Sequence, residues 1–257
     1  MRRRRLSRKR RPNLRSQGDN MAKKGEAKHQ KRIAKPKAIP ITDKKASKWI
    51  IRTSPGPHGR NRSMPLSIFL RNVIKVAKTA NEARRIIVQR AVEIDGKART
   101  DERFPVGLMD VVGLPKAGKY YRIIVDWKGR LVPLEITKEE AARKILRVVR
   151  KHVAPGAKIN LTFHDGRNMI ADNHIHCGDS VVVSVPEIKM AEHLKLESGS
   201  RCLIMEGKHA GTMVTLNEII QRKAGKPAEA RVSSGQGEFI TVAKYLFVVD
   251  SKFGVTQ

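Results

Sequence analysis

Acidic residues are scarce in this chain. Against 54 Lys and Arg stand 24 Asp and Glu, giving a formal net charge of +30 over 257 residues. Such an excess repels itself unless a polyanion neutralises it. A phosphate backbone does so with release of counterions, so nucleic acid is the expected partner and salt the expected competitor. Cysteine is nearly absent. Cys177 and Cys202 have neither CxxC spacing nor a disulfide framework, which suits a reducing compartment. No apolar run approaches the roughly 18 residues that span a bilayer, and the N-terminal arginines lead into Pro12-Asn13-Leu14-Arg15 where a signal-peptide core would lie. A cytoplasmic protein with no membrane partner is expected. Aromatic residues make up 4%, too few for stacking on exposed bases as the main mode of binding. Shape and backbone recognition is therefore expected. No GxSxG, HExxH, P-loop or dinucleotide fingerprint occurs, so an enzyme, a cofactor and a small-molecule substrate are not expected.

The positive charge that is present is unevenly spread. Residues 1–62 hold 22 Lys and Arg against 3 Asp and Glu, which is +19 of the +30, in a stretch poor in apolar residues and containing Pro36, Pro40, Pro55 and Pro57. Such a stretch cannot build its own core, and an arm that orders against nucleic acid is expected, with Lys23, Lys24, Lys28, His29, Lys31, Arg32, Lys35, Lys37, His58, Arg60 and Arg62 as its contacts. A basic run such as Arg2-Arg3-Arg4-Arg5 is equally compatible with a nuclear import signal.

Regular patterning begins at Ser63. Leu66, Leu70, Val73, Ile74 and Ala77 recur at helical spacing, with Ser63 as N-cap and Pro65 in the first turn. Thr79-Ala80-Asn81-Glu82 fits a capping box opening a second helix to about Gln89, which buries Ala83, Ile86 and Ile87 and presents Arg84, Arg85 and Arg90. Val92-Glu93-Ile94 alternates like a strand, and Asp95-Gly96 signals a tight hairpin. Helix, helix, strand, turn, strand, carrying Pro65-Leu66, Leu70-Arg71, Ala83-Arg84-Arg85 and Ile94-Asp95-Gly96-Lys97, resembles the small RNA-binding domain shared by a bacterial primary 16S-binding ribosomal protein, pseudouridine synthases and tyrosyl-tRNA synthetases. That resemblance implies RNA contacts from Arg71, Arg84, Arg85, Arg90, Lys97 and Arg99.

Farther on, Tyr121–Asp126 and Leu131–Ile136 read as a hairpin around Lys128-Gly129. Thr137-Lys138-Glu139-Glu140 is a second capping box, predicting a helix that buries Ala141, Ala142, Ile145, Leu146 and Val149. Its exposed face would carry Arg143, Lys144, Arg147, Arg150 and Lys151, suited either to solvent or to phosphate. Ile159, Leu161 and Phe163 alternate as a strand, and Val181-Val182-Val183 follow a turn at Gly178-Asp179. His174-Ile175-His176-Cys177 lacks the second spaced pair that a zinc site needs and reads as a polar turn, so no metal is expected. In the last segment Arg201–Met205 is a strand followed by Glu206-Gly207-Lys208-His209-Ala210-Gly211, where Gly207 and Gly211 let the loop turn sharply and approach another backbone. This resembles a KOW loop, with Lys208 and His209 toward phosphate, although Val214 stands where a second glycine is common. Strands near Ala230–Val232, Glu238–Thr241 and Tyr245–Val249 would complete a small five-stranded barrel.

The ordered series Met21-Ala22-Lys23-Lys24-Gly25, Pro55-Gly56-Pro57-His58, Ile94–Asp101 and Pro105–Val111 resembles the archaeal and eukaryotic small-subunit ribosomal protein S-four-e family from Met21 onward. Residues 1–20 have no counterpart in it and are expected to be a lineage-specific arm or to precede the true start. Behind the basic extension at 1–20, the resemblance implies an α+β, multidomain chain: a basic arm at 21–62, the small RNA-binding domain at 63–115, a β-rich central domain with one helix at 116–190, and a KOW-type β-barrel with C-terminal tail at 191–257. It implies a structural role in the small subunit, with small-subunit rRNA and neighbouring small-subunit ribosomal proteins as partners. Three rival classes account for less of the chain. An RNA-modifying enzyme would need a large catalytic domain where only about 140 residues remain. A KOW-type transcription-elongation factor accounts for the C-terminus alone, and a chromatin-compacting protein for the charge alone. Removal of residues 21–62 is expected to weaken rRNA binding more than Lys208→Ala does.

Overall fold

The structure, a computed structural model, describes residues 28–156, 158–222, 225–235, 237–250 and 253. Strand β1 (His29–Lys31) pairs antiparallel with β2 (Trp49–Ile51). Between and after them Ala38, Ile39, Ile41 and Ile50 are buried in the same core as the helices that follow. The expectation of an arm that orders only on nucleic acid is thereby corrected for residues 28–62. Too few apolar residues lie there for a separate core, but those few complete a neighbour's. The Leu131 amide donates to the Ala38 carbonyl at 2.9 Å and fixes this stretch to the chain nearly a hundred residues on. The 1–20 extension, Lys23 and Lys24 lie outside the described residues.

Strand β3 (Ser63–Pro65) pairs with β6 (Pro105–Gly107), so Ser63 is a strand residue and not the expected helix cap. Its hydroxyl donates to the Gly59 carbonyl. Helix α1 (Leu66–Ile68) starts after Pro65 and continues as a π turn over Phe69–Val73. The orphan amides of Leu66 and Ser67 donate to the carbonyls of Phe104 and Glu102, both at 3.0 Å, which replaces a side-chain cap. Helix α2 (Ala80–Val88) does have its capping box: the Glu82 amide donates to the Thr79 hydroxyl, and the Glu82 carboxylate accepts from the Thr79 amide. Ala83 and Ile87 are fully buried.

A five-stranded antiparallel sheet follows. Hairpin β4 (Glu93–Ile94) and β5 (Lys97–Ala98) turns at Asp95-Gly96, and β7 (Val111–Leu114), β8 (Lys119–Val125) and β9 (Leu131–Ile136) extend it in the order β5-β4-β7-β8-β9. The boundary read between residues 115 and 116 thus passes between two hydrogen-bonded strands. Val112, Ile123, Val125 and Leu131 from both sides of it share one core with Ile145, Leu203 and Phe247.

The expected central helix is corrected. Its capping box forms at Thr137 and Glu140, but α3 (Lys138–Ala141) ends after one turn. Strand β10 (Arg143–Ala154) then runs for twelve residues. Ile145 faces the shared core while Leu146 and Val148 face a second one with Leu161, Phe163 and Val181. Burial on both faces, with β-branched Ile145, Val148, Val149 and Val153, favours a strand over the amphipathic helix that the same apolar spacing allows. The surrounding sheet has the order β12-β11-β10-β13-β14, from β11 (Lys158–Phe163), β12 (Asn168–Ala171), β13 (Ser180–Ser184) and β14 (Lys189–Leu194). The last segment is a five-stranded antiparallel sheet of order β18-β17-β16-β15-β19, built from β15 (Arg201–Ile204), β16 (Met213–Ile220), β17 (Glu229–Ser234), β18 (Gly237–Val242) and β19 (Leu246–Val248).

Candidate nucleic-acid interface

Three carboxylates and three basic side chains meet inside the molecule, and they decide which cations are left outside. Lys144, 0% exposed, sits at the second position of β10 with its Nζ 2.7 Å from Asp95, 2.6 Å from Asp110 and 3.4 Å from Asp165. Arg167 bridges Asp95 and Asp165, and His58 Nε2 lies 3.0 Å from Asp110. Backbone amides complete the set: Val111 N–H donates to Asp95, and Gly107 N–H to Asp110. Burial pushes the Asp110 carboxyl up, but His58 and Lys144 outweigh it and hold the group well below the usual carboxylate range. Burial also works against the Lys144 charge, and its three carboxylates raise its pKa above that of a free lysine. The residues come from the arm (His58), the first helical unit (Asp95, Asp110) and the central sheet (Lys144, Asp165, Arg167), so the cluster fixes those segments to one another.

His164 extends the joint. Its Nδ1 accepts from the Arg147 amide at 3.2 Å, which leaves Nε2 as the protonated nitrogen, 3.2 Å from the Leu108 carbonyl. Its ring stands edge-on to Phe247, 5.4 Å between centroids, which brings in the C-terminal sheet. Both nitrogens are occupied in the neutral form; burial first, then His58 and Lys144, lowers the pKa from 6.5 to about 4. A histidine lowered in this way leaves the folded chain taking up a proton later than the unfolded chain. Stability is therefore expected to be full above pH 6.5 and to fall as pH drops from there to about 4. Thermal midpoints across that window should decline more steeply for the wild type than for His164→Gln; equal slopes would rule His164 out as the cause.

The sequence-predicted contacts divide accordingly. Arg84 and Arg85 on α2, Arg90 just after it, Lys97 on β5, Lys28, His29, Lys31 and Lys37 before β2, Arg60, Arg143 and Arg150, and Lys208 are exposed. Arg62 is exposed but ion-paired with Glu206, joining the arm to the C-terminal loop. Arg71, half-buried, donates to Asn72, and Arg99 lies 4.5 Å over the Phe104 ring. Lys35 donates to the Ile39 carbonyl, and His209 stacks on Phe239 at 4.1 Å. Four assignments are corrected. His58, Lys144, Arg147 and Arg32 are buried, the first two in the cluster, Arg147 behind His164, and Arg32 donating to the Asp43 carbonyl and Ser47. An outward position for Lys144 and Arg147 follows only from a helix, and the segment is a strand. His174, His176 and Cys177 are exposed around buried Ile175. Sequence reading missed Asp95, Asp110, Asp165 and Arg167. Their spacing carries no local signal; all four lie in turns that neighbouring glycines or local hydrogen bonding already explain.

Gly207 and Gly211 have φ of +102° and +78°, and a side chain on Gly211 would meet the Val125 carbonyl oxygen at 2.6 Å and the Trp127 nitrogen at 2.9 Å. The loop after β15 thus rests on the backbone of the β8–β9 turn.

The chain resembles known proteins along most of its length. The ribosomal family S4e profile matches residues 117–190, the S4 domain profile residues 64–112, and the RS4NT (NUC023) domain profile residues 24–61. Small ribosomal subunit protein eS4 of Methanothermobacter thermautotrophicus is 39% identical over 230 residues, covering 89% of this chain and 95% of its own. The chain belongs to the S4e family of ribosomal proteins. The eS4 protein of Archaeoglobus fulgidus, another family member, is 38% identical over 224 residues, covering 87% of this chain and 94% of its own. The crystal structure of 30S ribosomal protein S4e from Thermoplasma acidophilum superposes with a TM-score of 0.65 at 35% identity, over 74% of this chain and 96% of that one. Among the described residues no helix is long and apolar enough to cross a membrane.

Proposed function

We propose that the chain is a structural constituent of the small ribosomal subunit, which binds and organises small-subunit rRNA and packs against neighbouring ribosomal proteins in the cytoplasmic ribosome. One observation carries this reading. Asp95, Asp110 and Asp165 are enclosed with Lys144, while Arg84, Arg85, Arg90, Lys97, Lys31 and Lys37 remain exposed on segments packed around one shared core. Cations on a rigid frame suit fixed phosphates, where recognition is of backbone and shape. The chain is read as non-catalytic, in keeping with relatives named as ribosomal proteins. The β15–β19 sheet, with its glycine-bearing loop after the first strand, is read as a KOW-type barrel, and Lys208 at the loop's exposed tip as a phosphate contact. The units at 21–62, 63–115, 116–190 and 191–257 act as one body in this scheme.

Sedimentation on a sucrose gradient tests the proposal: a tagged chain should travel with small subunits and be released by high salt. Free protein at the top of the gradient, or a peak with RNA polymerase, would overturn it. Removing residues 21–62 is no longer a clean test of the arm, because Ile39, Ile41, Ile50 and His58 would leave the core with them. The paired variant Arg84→Ala/Arg85→Ala is cleaner, since both side chains are exposed. It should weaken rRNA binding about equally across RNA sequences and lower the slope of log affinity against log salt by roughly one to two. An unchanged slope would take α2 out of the interface.

A further inference from the structure

The β8–β9 turn carries an exposed tryptophan that phosphate binding does not use. Trp127 is 67% exposed. The turn that presents it is firmly held: the Asp126 amide donates to the Arg130 carbonyl at 2.8 Å, the Gly129 amide to the Asp126 carbonyl at 2.7 Å, and the Trp127 amide to the Asp126 side chain at 2.8 Å. Behind it lies Gly211, packed directly on the Asp126–Trp127 peptide. A large flat ring held outward on a hydrogen-bonded turn offers a face to a ligand with a flat apolar face of its own.

The ring's neighbours are cations. Lys128 Nζ lies 4.3 Å from the ring centroid, and the Lys37 ammonium lies about 3.5 Å from where a Gly129 side chain would begin. Lys35 is crowded by burial and by the charges of Lys44, Arg130 and Arg32, which lower its pKa. The carboxylate next to the ring in sequence, Asp126, is taken by Arg130 at 2.7 Å. Aromatic face and concentrated positive charge together match a nucleotide, whose base stacks while its phosphates seek cations. An apolar protein surface would complement the ring and leave the lysines without a counter-charge.

We propose that Trp127 is a base-stacking contact, holding an unpaired nucleobase of RNA against its indole while Lys37 and Lys128 meet the flanking phosphates. This rests on the rRNA-binding reading and narrows it: most of the surface reads backbone, and this one point requires an unpaired base.

The chain has two tryptophans, so Trp49→Phe leaves Trp127 as the sole indole reporter. The full-length variant is titrated with an RNA hairpin carrying an unpaired adenine loop, with the same hairpin made abasic in the loop, and with a blunt duplex of equal charge. Trp127 emission should be quenched by the adenine loop and little changed by the other two. Trp127→Ala should weaken binding of the adenine loop at least about fivefold, leave duplex binding as it was, and be largely rescued by Trp127→Phe. Emission that responds equally to all three RNAs, or an equal loss on loop and duplex, overturns the stacking proposal while the rRNA reading stands. Trp127 crosslinking to a protein in assembled subunits and to no nucleotide would overturn it too. Failure of the chain to bind any of the three RNAs would overturn both.

Discussion

Replacing Lys144 with Met lowers the free energy of unfolding by about 3–5 kcal/mol. For a chain of this size that corresponds to a melting temperature roughly 6–20 °C lower. The size of the loss follows from what remains. Asp95, Asp110 and Asp165 are each about 2% exposed or less at the side chain and would keep only Arg167 and His58 as basic side-chain partners, beside their backbone amides. A buried carboxylate without a partner costs far more than an ion pair contributes. The same reasoning predicts a partial rescue. Asp165→Asn in the Lys144→Met background returns the cluster to two carboxylates, Asp95 beside Arg167 and Asp110 beside His58. The side-chain carbonyl oxygen that this substitution keeps can still accept from the Arg167 amide, as the Asp165 carboxylate does. Chemical denaturation of the two variants checks this. A single variant within about 1 kcal/mol of wild type, or a double variant no more stable than the single, would show that Lys144 does not hold the cluster together.

Gly211→Ala is expected to be nearly as damaging, by about 2–5 kcal/mol, for two added reasons. At φ +78° an alanine pays the left-handed penalty, and its methyl group would begin 2.6–2.9 Å from three backbone atoms of Val125, Asp126 and Trp127, none of which can swing aside. Gly207→Ala is the internal control. Its φ of +102° is equally unsuited to alanine, but the nearest atoms belong to the Tyr245 ring at 3.6 Å, an ordinary contact. Unfolding in urea should therefore place Gly211→Ala well below Gly207→Ala. Equal losses would mean that backbone conformation, and not the close approach to the turn, is what matters at residue 211.

How much of this was legible in the sequence depends on distance along the chain. The capping boxes at Thr79/Glu82 and Thr137/Glu140 span four residues each and form as read. The hairpins at Asp95-Gly96 and Lys128-Gly129 are equally local, and both form. Residues 143–154 differ because a correct local signal, the second capping box, extends on paper through Ile145, Leu146 and Val149, whose spacing fits a helix as well as a strand. The choice is made by cores on both sides of β10, which no local window contains. The arm differs for the same reason: Ile39, Ile41 and Ile50 look isolated among lysines until the core that receives them is known. Exposure of the candidate contacts was partly legible. Arg84, Arg85 and Lys97 are exposed as read, whereas His58 and Lys144 pass for contacts in the sequence because their carboxylate partners lie 52 residues away for His58 and 21–49 for Lys144.

The enclosed cluster also sets an order of events during synthesis. His58, Asp95 and Asp110 leave the ribosome well before Lys144, and Arg167 follows later still. At roughly 5–20 residues per second, on the order of 5–20 s separates the first member from the last. Until Lys144 arrives, two carboxylates have no ammonium to enclose, and the N-terminal portion is an open, basic chain in a cell full of RNA. Its long-range pairings make final closure slow relative to helix formation. A nascent chain of this design meets polyanions before it is finished.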